Sequence, residues 1–267
     1  MTQLFSKNLR SLTNHILLAE LVKATTEGVS FRERWQAERA ILEGEQGYDY
    51  VDELIANEVD VIRVLQILCL QSLCGGGIKA AKFDSVRRDL VQTYGYDMMF
   101  LLNNLESSGL LRRRDWMETT SPFTNLRKSL ILINAEVNPV EPDDASYVSS
   151  GYAPMSVRII QTAAKGWKGK DEILKDIPGR VVDIEQTYPP QDLQTMLKKR
   201  PSKSLGAIVA SNTSAQKPTM IVVYVGGVTF MEIAALRFIS KRPSFPYNVL
   251  VVATKVIKGR SLIESVA

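Results

Sequence analysis

The sequence predicts a mainly α protein of the α+β class. A helical domain over 1–142 is followed, over 143–267, by the C-terminal portion of a parallel-sheet α/β domain whose sheet this chain does not complete. Three observations carry that prediction. Apolar residues recur at helical spacing through the first 135 or so residues. A polar, proline-bearing link, Asn138-Pro-Val-Glu-Pro-Asp-Asp144, then changes the character of the chain. Beyond it lies one β-turn-α-β unit with two buried-type strands, and two strands make no stable sheet.

Leu12, Ile16, Leu17, Ala19 and Leu21 begin the helical pattern. Phe31 to Leu42 is a charged amphipathic helix with Phe31, Trp35 and Ile41 as apolar members. Gly44 and Gly47 break it, and Val51, Leu54 and Ile55 resume it. Val59 to Leu73 is apolar on most sides, which predicts the central buried helix. Gly75-Gly76-Gly77 ends it. Two shorter helices follow, Lys79 to Gln92 and Tyr96 to Ser108, with Gly109 as a C-terminal stop. Phe123 to Asn134 predicts the last helix of this domain.

In the second region Tyr152 to Trp167 reads as a helix, with Pro154 in its first turn. Residues 185–218 hold Pro189-Pro190, Lys198-Lys-Arg-Pro-Ser-Lys203 and Ser211-Asn-Thr-Ser-Ala215, which predict a flexible loop. Met220 to Val225 is a short β-branched run expected to be covered on both faces. Gly226-Gly227 turns the chain, and Thr229 with Glu232 forms a capping box. Ile233, Leu236 and Ile239 space the apolar face of the next helix. Asn248 to Ala253 is the second strand.

Composition and charge narrow the function classes. No apolar run approaches the roughly 18 residues that cross a bilayer, so direct membrane insertion is not expected. The N-terminus has no charged-then-apolar signal layout. Cys69 and Cys74 lie five residues apart on a helical apolar pattern and read as buried thiols, which fits a cytosolic compartment. Residues 1–150 hold 16 basic and 21 acidic side chains, residues 151–267 hold 17 and 8. The basic half fits an anionic partner, or a half that packs beside a complementary portion.

No catalytic, cofactor or metal constellation is visible. His15 is the only histidine, with no second ligand at useful spacing, and two cysteines cannot fill a structural zinc set. A Ser or Cys triad would need His15 as its base, and no nucleophile elbow accompanies it. Gly226-Gly227 before a capped helix could hold a phosphate. Yet no Lys-Ser/Thr follows the glycines, and Glu232 would repel the anion. An enzyme is not expected.

Lys79–Gln92, Tyr96–Ser108 and Leu110-Leu-Arg-Arg-Arg-Asp-Trp116 have the layout of a winged helix. Its would-be recognition helix, Asp97-Met-Met-Phe-Leu-Leu-Asn-Asn-Leu-Glu106, has no Arg or Lys to reach a base edge. The helical region is also net negative, the wrong sign for counterion release. Nucleic acid is therefore not the expected partner, and a protein-contact surface is. Arg87, Tyr96 and Met99 are of the residue types enriched at interfaces, and Tyr96 and Met99 are spaced for one helix face. The same spacing also suits core filling between adjacent helices.

Four segments carry a family resemblance. They are Leu68-Cys-Leu-Gln-Ser-Leu-Cys74; Gln92-Thr-Tyr-Gly-Tyr96 with Asn104-Leu-Glu-x-x-Gly-Leu-Leu111; Ser146-Tyr-Val-x-Ser-Gly-Tyr-Ala-Pro-Met-Ser-Val-Arg158; and Val225-Gly-Gly-Val-Thr-Phe-x-Glu-Ile-Ala-Ala-Leu-Arg237. In this order the chain resembles the C-terminal half of the SM proteins, the Sec/Munc family of SNARE regulators, and most of all their vacuolar protein sorting branch. The resemblance implies that 1–142 is like the third domain of an SM protein and that the rest of the sheet lies outside this chain. It implies a fusion regulator acting in vesicle docking and transport to vacuole, lysosome and endosome. Such a protein is cytoplasmic and peripheral on those membranes through its partners.

The implied partners are SNARE proteins and the helical-solenoid class C subunit of the HOPS and CORVET tethers. Positions matching Arg87, Tyr96 and Met99 help bind that solenoid subunit in the vacuolar SM proteins. The SNARE cleft uses parts that would precede residue 1, so SNARE binding is expected to be weak or lost in this chain. The readings weighed against this one are a nucleotide-binding α/β enzyme and a winged-helix nucleic-acid binder.

Overall fold

The computed structural model describes residues 2–114, 121–166, 177, 179–182, 184 and 217–266. The loop expected over 185–218 lies outside the described residues apart from its last two, as does Trp116. By contacts the chain divides into two compact units, 1–124 with 258–267, and 125–257.

The first unit opens with α1 (Thr2–Thr26), α2 (Val29–Glu43) and α3 (Tyr48–Ala56). Around α4 (Val61–Gly75) the core closes: Val64, Leu65, Ile67, Leu68 and Cys69 are buried, as its all-round apolar sequence predicts. Asp60 caps α4 by accepting from the Ile62 N–H at 3.2 Å. Its two buried polar side chains are both used, which removes the cost of burying them. Gln71 accepts the Gly47 N–H at 2.7 Å, and Ser72 accepts the Arg112 N–H at 2.8 Å.

After α4 the chain must turn sharply beside its own returning strand. Gly77 adopts φ +106°, and a Cβ there would stand 3.0 Å from Arg114 Cβ. That approach lets β1 (Ile78–Lys79) pair in parallel with β2 (Arg113–Arg114). Between them run α5 (Ala80–Tyr94) and α6 (Met98–Ser107). α5 buries Phe83, Val86 and Leu90; α6 buries Leu101, Leu102 and Leu105.

The second unit begins inside α7 (Pro122–Ser129). α7 stops at Ser129, short of the Asn134 expected from sequence. Ile131 takes a left-handed φ of +51°, a costly conformation for a β-branched residue. The chain then pairs with 151–153: Ala153 N–H donates to Leu132 O and Asn134 N–H to Gly151 O, both at 2.8 Å. Those bonds tie 132–134 to 151–153 within the second unit. A short 3-10 turn (Ala145–Ser149) leads to α8 (Met155–Ala164), which Pro154 precedes rather than joins.

β3 (Thr219–Tyr224) pairs in parallel with β5 (Asn248–Ala253), matching the predicted strands to within a residue. Between them, β4 (Val228–Thr229) and α9 (Phe230–Lys241) form the predicted capped crossover. Thr229 Oγ1 accepts the Glu232 N–H, and Glu232 accepts the Thr229 N–H. β4 pairs with β6 (Val256–Ile257). One face of the β3–β5 pair packs on Ala235, Leu236 and Ile239 of α9 through Tyr224, Val249 and Val251. Its other face is open: Ile221, Val223 and Leu250 are exposed. Met220–Val225 reads as a strand covered on both faces of a complete sheet; with the sheet incomplete in this chain, the described residues put nothing over the second face, as that incompleteness predicts. The last helix, α10 (Gly259–Glu264), returns to the helical unit, where Ile263 enters the core and Arg260 pairs with Asp60.

Candidate functional site

α5 and α6 build the surface that the sequence singles out. Their inner faces are anchored in the helical core, so their outer residues are fixed. Tyr94 reinforces this by donating its hydroxyl to Val59 O at 2.5 Å. Tyr96 lies in the turn between the helices, not on α6, which begins at Met98. The turn is helical in its bonding: Met99 N–H donates to Tyr96 O at 3.0 Å, and Phe100 N–H to Asp97 O at 3.2 Å.

Tyr96 is 82% exposed. Met99 and Arg87 are half-buried and touch, with Arg87 Nε donating to Met99 Sδ at 3.4 Å. A thioether is a weak acceptor, so this contact positions the guanidinium without neutralising it. The structure therefore brings Arg87 and Met99 together and leaves the Tyr96 ring bare in the adjoining turn. Phe100, 72% exposed, was not singled out from the sequence. Its position four residues after Tyr96 was the available signal.

Elsewhere, chemistry gives way to structure. Among the described residues no cluster of three or more His, Cys, Asp or Glu could hold a metal. No described helix is long and apolar enough to cross a membrane. Cys69 and Cys74 are buried and form no disulfide, and burial pushes the Cys69 thiol up to about 12. At Gly227, φ +143°, the backbone lies against Ile257, where a Cβ would stand 2.6 Å from Cγ2. Glu232 accepts there from Ser156 Oγ at 2.5 Å as well as from Thr229. An anion would meet that carboxylate.

A cleft of about 610 Å³ lies in the second unit, lined by residues of 130–144, by α8 and by the end of α9. Its lining includes an ion pair, with Arg158 donating to Asp144 through Nη1 at 2.6 Å and Nη2 at 2.7 Å. Burial alone would raise the Asp144 pKa, but the Arg158 and Ser146 hydrogen bonds outweigh it and hold the carboxyl at about 2. Arg158 Nη2 also donates to Ile131 O at 3.0 Å, clamping the left-handed residue. Its charge is thereby matched, so this pair is a fold clasp.

Residues 3–265 match the Sec1 family, and the chain belongs to it. It is 35% identical to vacuolar protein sorting-associated protein 33A of Rattus norvegicus, over 96% of this chain and 40% of that protein. It is 34% identical to the vacuolar protein-sorting-associated protein 33 homolog of Arabidopsis thaliana, over 98% of this chain and 44% of that one. Vacuolar protein sorting-associated protein 33 of Schizosaccharomyces pombe is 29% identical over 96% of this chain and 42% of its own length. The chain thus spans a little over two fifths of the length of these relatives.

Proposed function

We propose that this chain is the tether-docking half of an SM-type regulator of SNARE-mediated membrane fusion, serving vesicle docking and transport to the vacuole, lysosome and endosome. In this reading it is not an enzyme and uses no cofactor. It sits in the cytoplasm, held on vacuolar and endosomal membranes by partners. Its main partner is the helical-solenoid class C subunit of the HOPS and CORVET tethers, and its hold on SNAREs is weak or lost.

The observation that supports this most is the bare Tyr96 ring beside the Arg87–Met99 contact, in a chain of the Sec1 family. A tyrosine that filled the core would be covered, whereas one that docks a partner is exposed until the partner arrives. Tyr96→Asp places a charge at the centre of the contact and is expected to cost about 3 kcal/mol of binding. Arg87→Asp acts more through association rate and salt sensitivity. Co-purification with the solenoid subunit tests this, with circular dichroism showing that the mutant folds. Binding by folded Tyr96→Asp at wild-type strength would sink the assignment. Run against SNAREs, the same assay is expected to show little capture.

A further inference from the structure

We propose that Phe100 is a second aromatic anchor of this surface, and that the partner segment covering it presents an apolar helical face with a carboxylate set against Arg87. The proposal rests on the docking reading above and extends it.

Three observations lead to it. Two exposed rings follow one another four residues apart, Tyr96 in the turn that leads into α6 and Phe100 in the first turn of α6, with Met99 between them in sequence. Leu101, Leu102 and Leu105 lock the opposite face in the core, so α6 cannot rotate to bury Phe100 within this unit. Paired exposed aromatics on a face fixed in this way are of the types that supply interface anchors.

The charges identify the partner's chemistry. On the same helix as Arg87, Lys82 pairs with Asp52 at 2.5 Å and Asp84 with Arg113 at 3.1 Å. Arg87 has no carboxylate partner among the described residues, only the weak Met99 sulfur. A partner that covers Tyr96 and Phe100 also desolvates this half-buried cation, and an uncompensated cation there is costly. The covering face must therefore bring an Asp or Glu. Asp97, exposed between the two rings in sequence, sets the surface against an anionic lipid bilayer.

The test measures the affinity of the full chain for the solenoid subunit. Phe100→Ala is expected to weaken binding roughly 10- to 100-fold, with its melting midpoint unchanged because the ring is exposed. Phe100→Tyr, which keeps the ring, should bind nearly as wild type. Leu17→Ser, at an exposed position of α1, should leave affinity unchanged. Phe100→Gln serves as a second truncation should alanine disturb α6. Wild-type affinity in both folded truncations, with Tyr96→Asp inactive, overturns the role of Phe100 and leaves the docking reading standing. Failure of the wild-type chain to bind the subunit overturns both. An equal loss in Leu17→Ser shows a non-specific apolar effect and overturns the proposal. So does binding to phosphatidylserine vesicles that Phe100→Ala abolishes while the subunit still binds.

Discussion

In the helical unit, α4 is surrounded: Leu65 and Val64 are inaccessible, and even Gln71 and Ser72 find partners inside. In the α/β unit, β3 alternates, with Val222 half-buried and Val223 facing outward at 63% exposure. The two segments have similarly apolar sequences. A sequence apolar on all sides states what must be buried, but another part of the structure must bury it. For α4 that part is α2, α3, β1 and α10. For β3 the described residues supply one layer, and the chain spans a little over two fifths of its relatives.

Amide exchange offers the sharpest contrast between these regions. Opening free energy ranges from near zero at exposed edges to the global value in a closed core. The amides of Met220–Tyr224 and Val249–Ala253 are expected to exchange orders of magnitude faster than those of Val64–Cys69. Equal protection, read by hydrogen–deuterium exchange mass spectrometry, would mean that the α/β unit completes itself and that the contrast fails.

The α/β unit does hold one closed device, the Arg158–Asp144 clasp, so loss of the arginine should fall on that unit alone. Arg158→Ala leaves Asp144 with only its Ser146 hydrogen bonds and removes the donor to the Ile131 carbonyl. A cost of about 2–3 kcal/mol follows, below the full value for a deeply buried pair because both groups keep some solvent contact. The pH dependence follows from the Asp144 carboxyl, which is held at about 2 against an ordinary 3.8. A depressed folded pKa contributes stability above the unfolded value, and that stability is lost as pH falls through the folded one. Wild type should therefore weaken between about pH 4 and pH 2 in urea titrations followed on this unit. Arg158→Ala should lack this loss. An identical acid profile in both proteins would remove the clasp from the account.

Local patterns with a mechanism were legible in the sequence. The Thr229–Glu232 box, the β5 limits and the burial of α4 follow from capping chemistry and apolar spacing, and the structure reproduces them. What the sequence hid depends on contacts made at a distance. Helical spacing ran through Ile131 to Asn134, but pairing with 151–153 and the Arg158 clamp stop α7 at Ser129. Helical spacing also carries Tyr96 onto α6, whereas the structure leaves it in the preceding turn. Its spacing from Met99 suited interface and core alike, and only its exposure separates the two. Phe100 is marked in the sequence only by its place four residues after Tyr96, because its apolar character suits the buried face of α6 equally well.

The smallest expected effect tests the open sheet face directly. Val223→Thr keeps the β-branched shape and replaces one methyl by a hydroxyl. On an exposed face the hydroxyl stays in water, so stability should move by no more than about 0.5 kcal/mol. Val251→Thr makes the same change on the strand paired with β3, but on the side that packs against the α9 cluster. There the hydroxyl loses water without an assured partner, and the cost should reach about 1–2 kcal/mol. The pair cancels what the two substitutions do to the unfolded chain, because the residues exchanged are identical. Urea midpoints for the two variants, read on this unit, decide the matter. A Val223→Thr penalty as large as that of Val251→Thr would mean that the outer face is covered in solution, and the difference between the two units would then disappear.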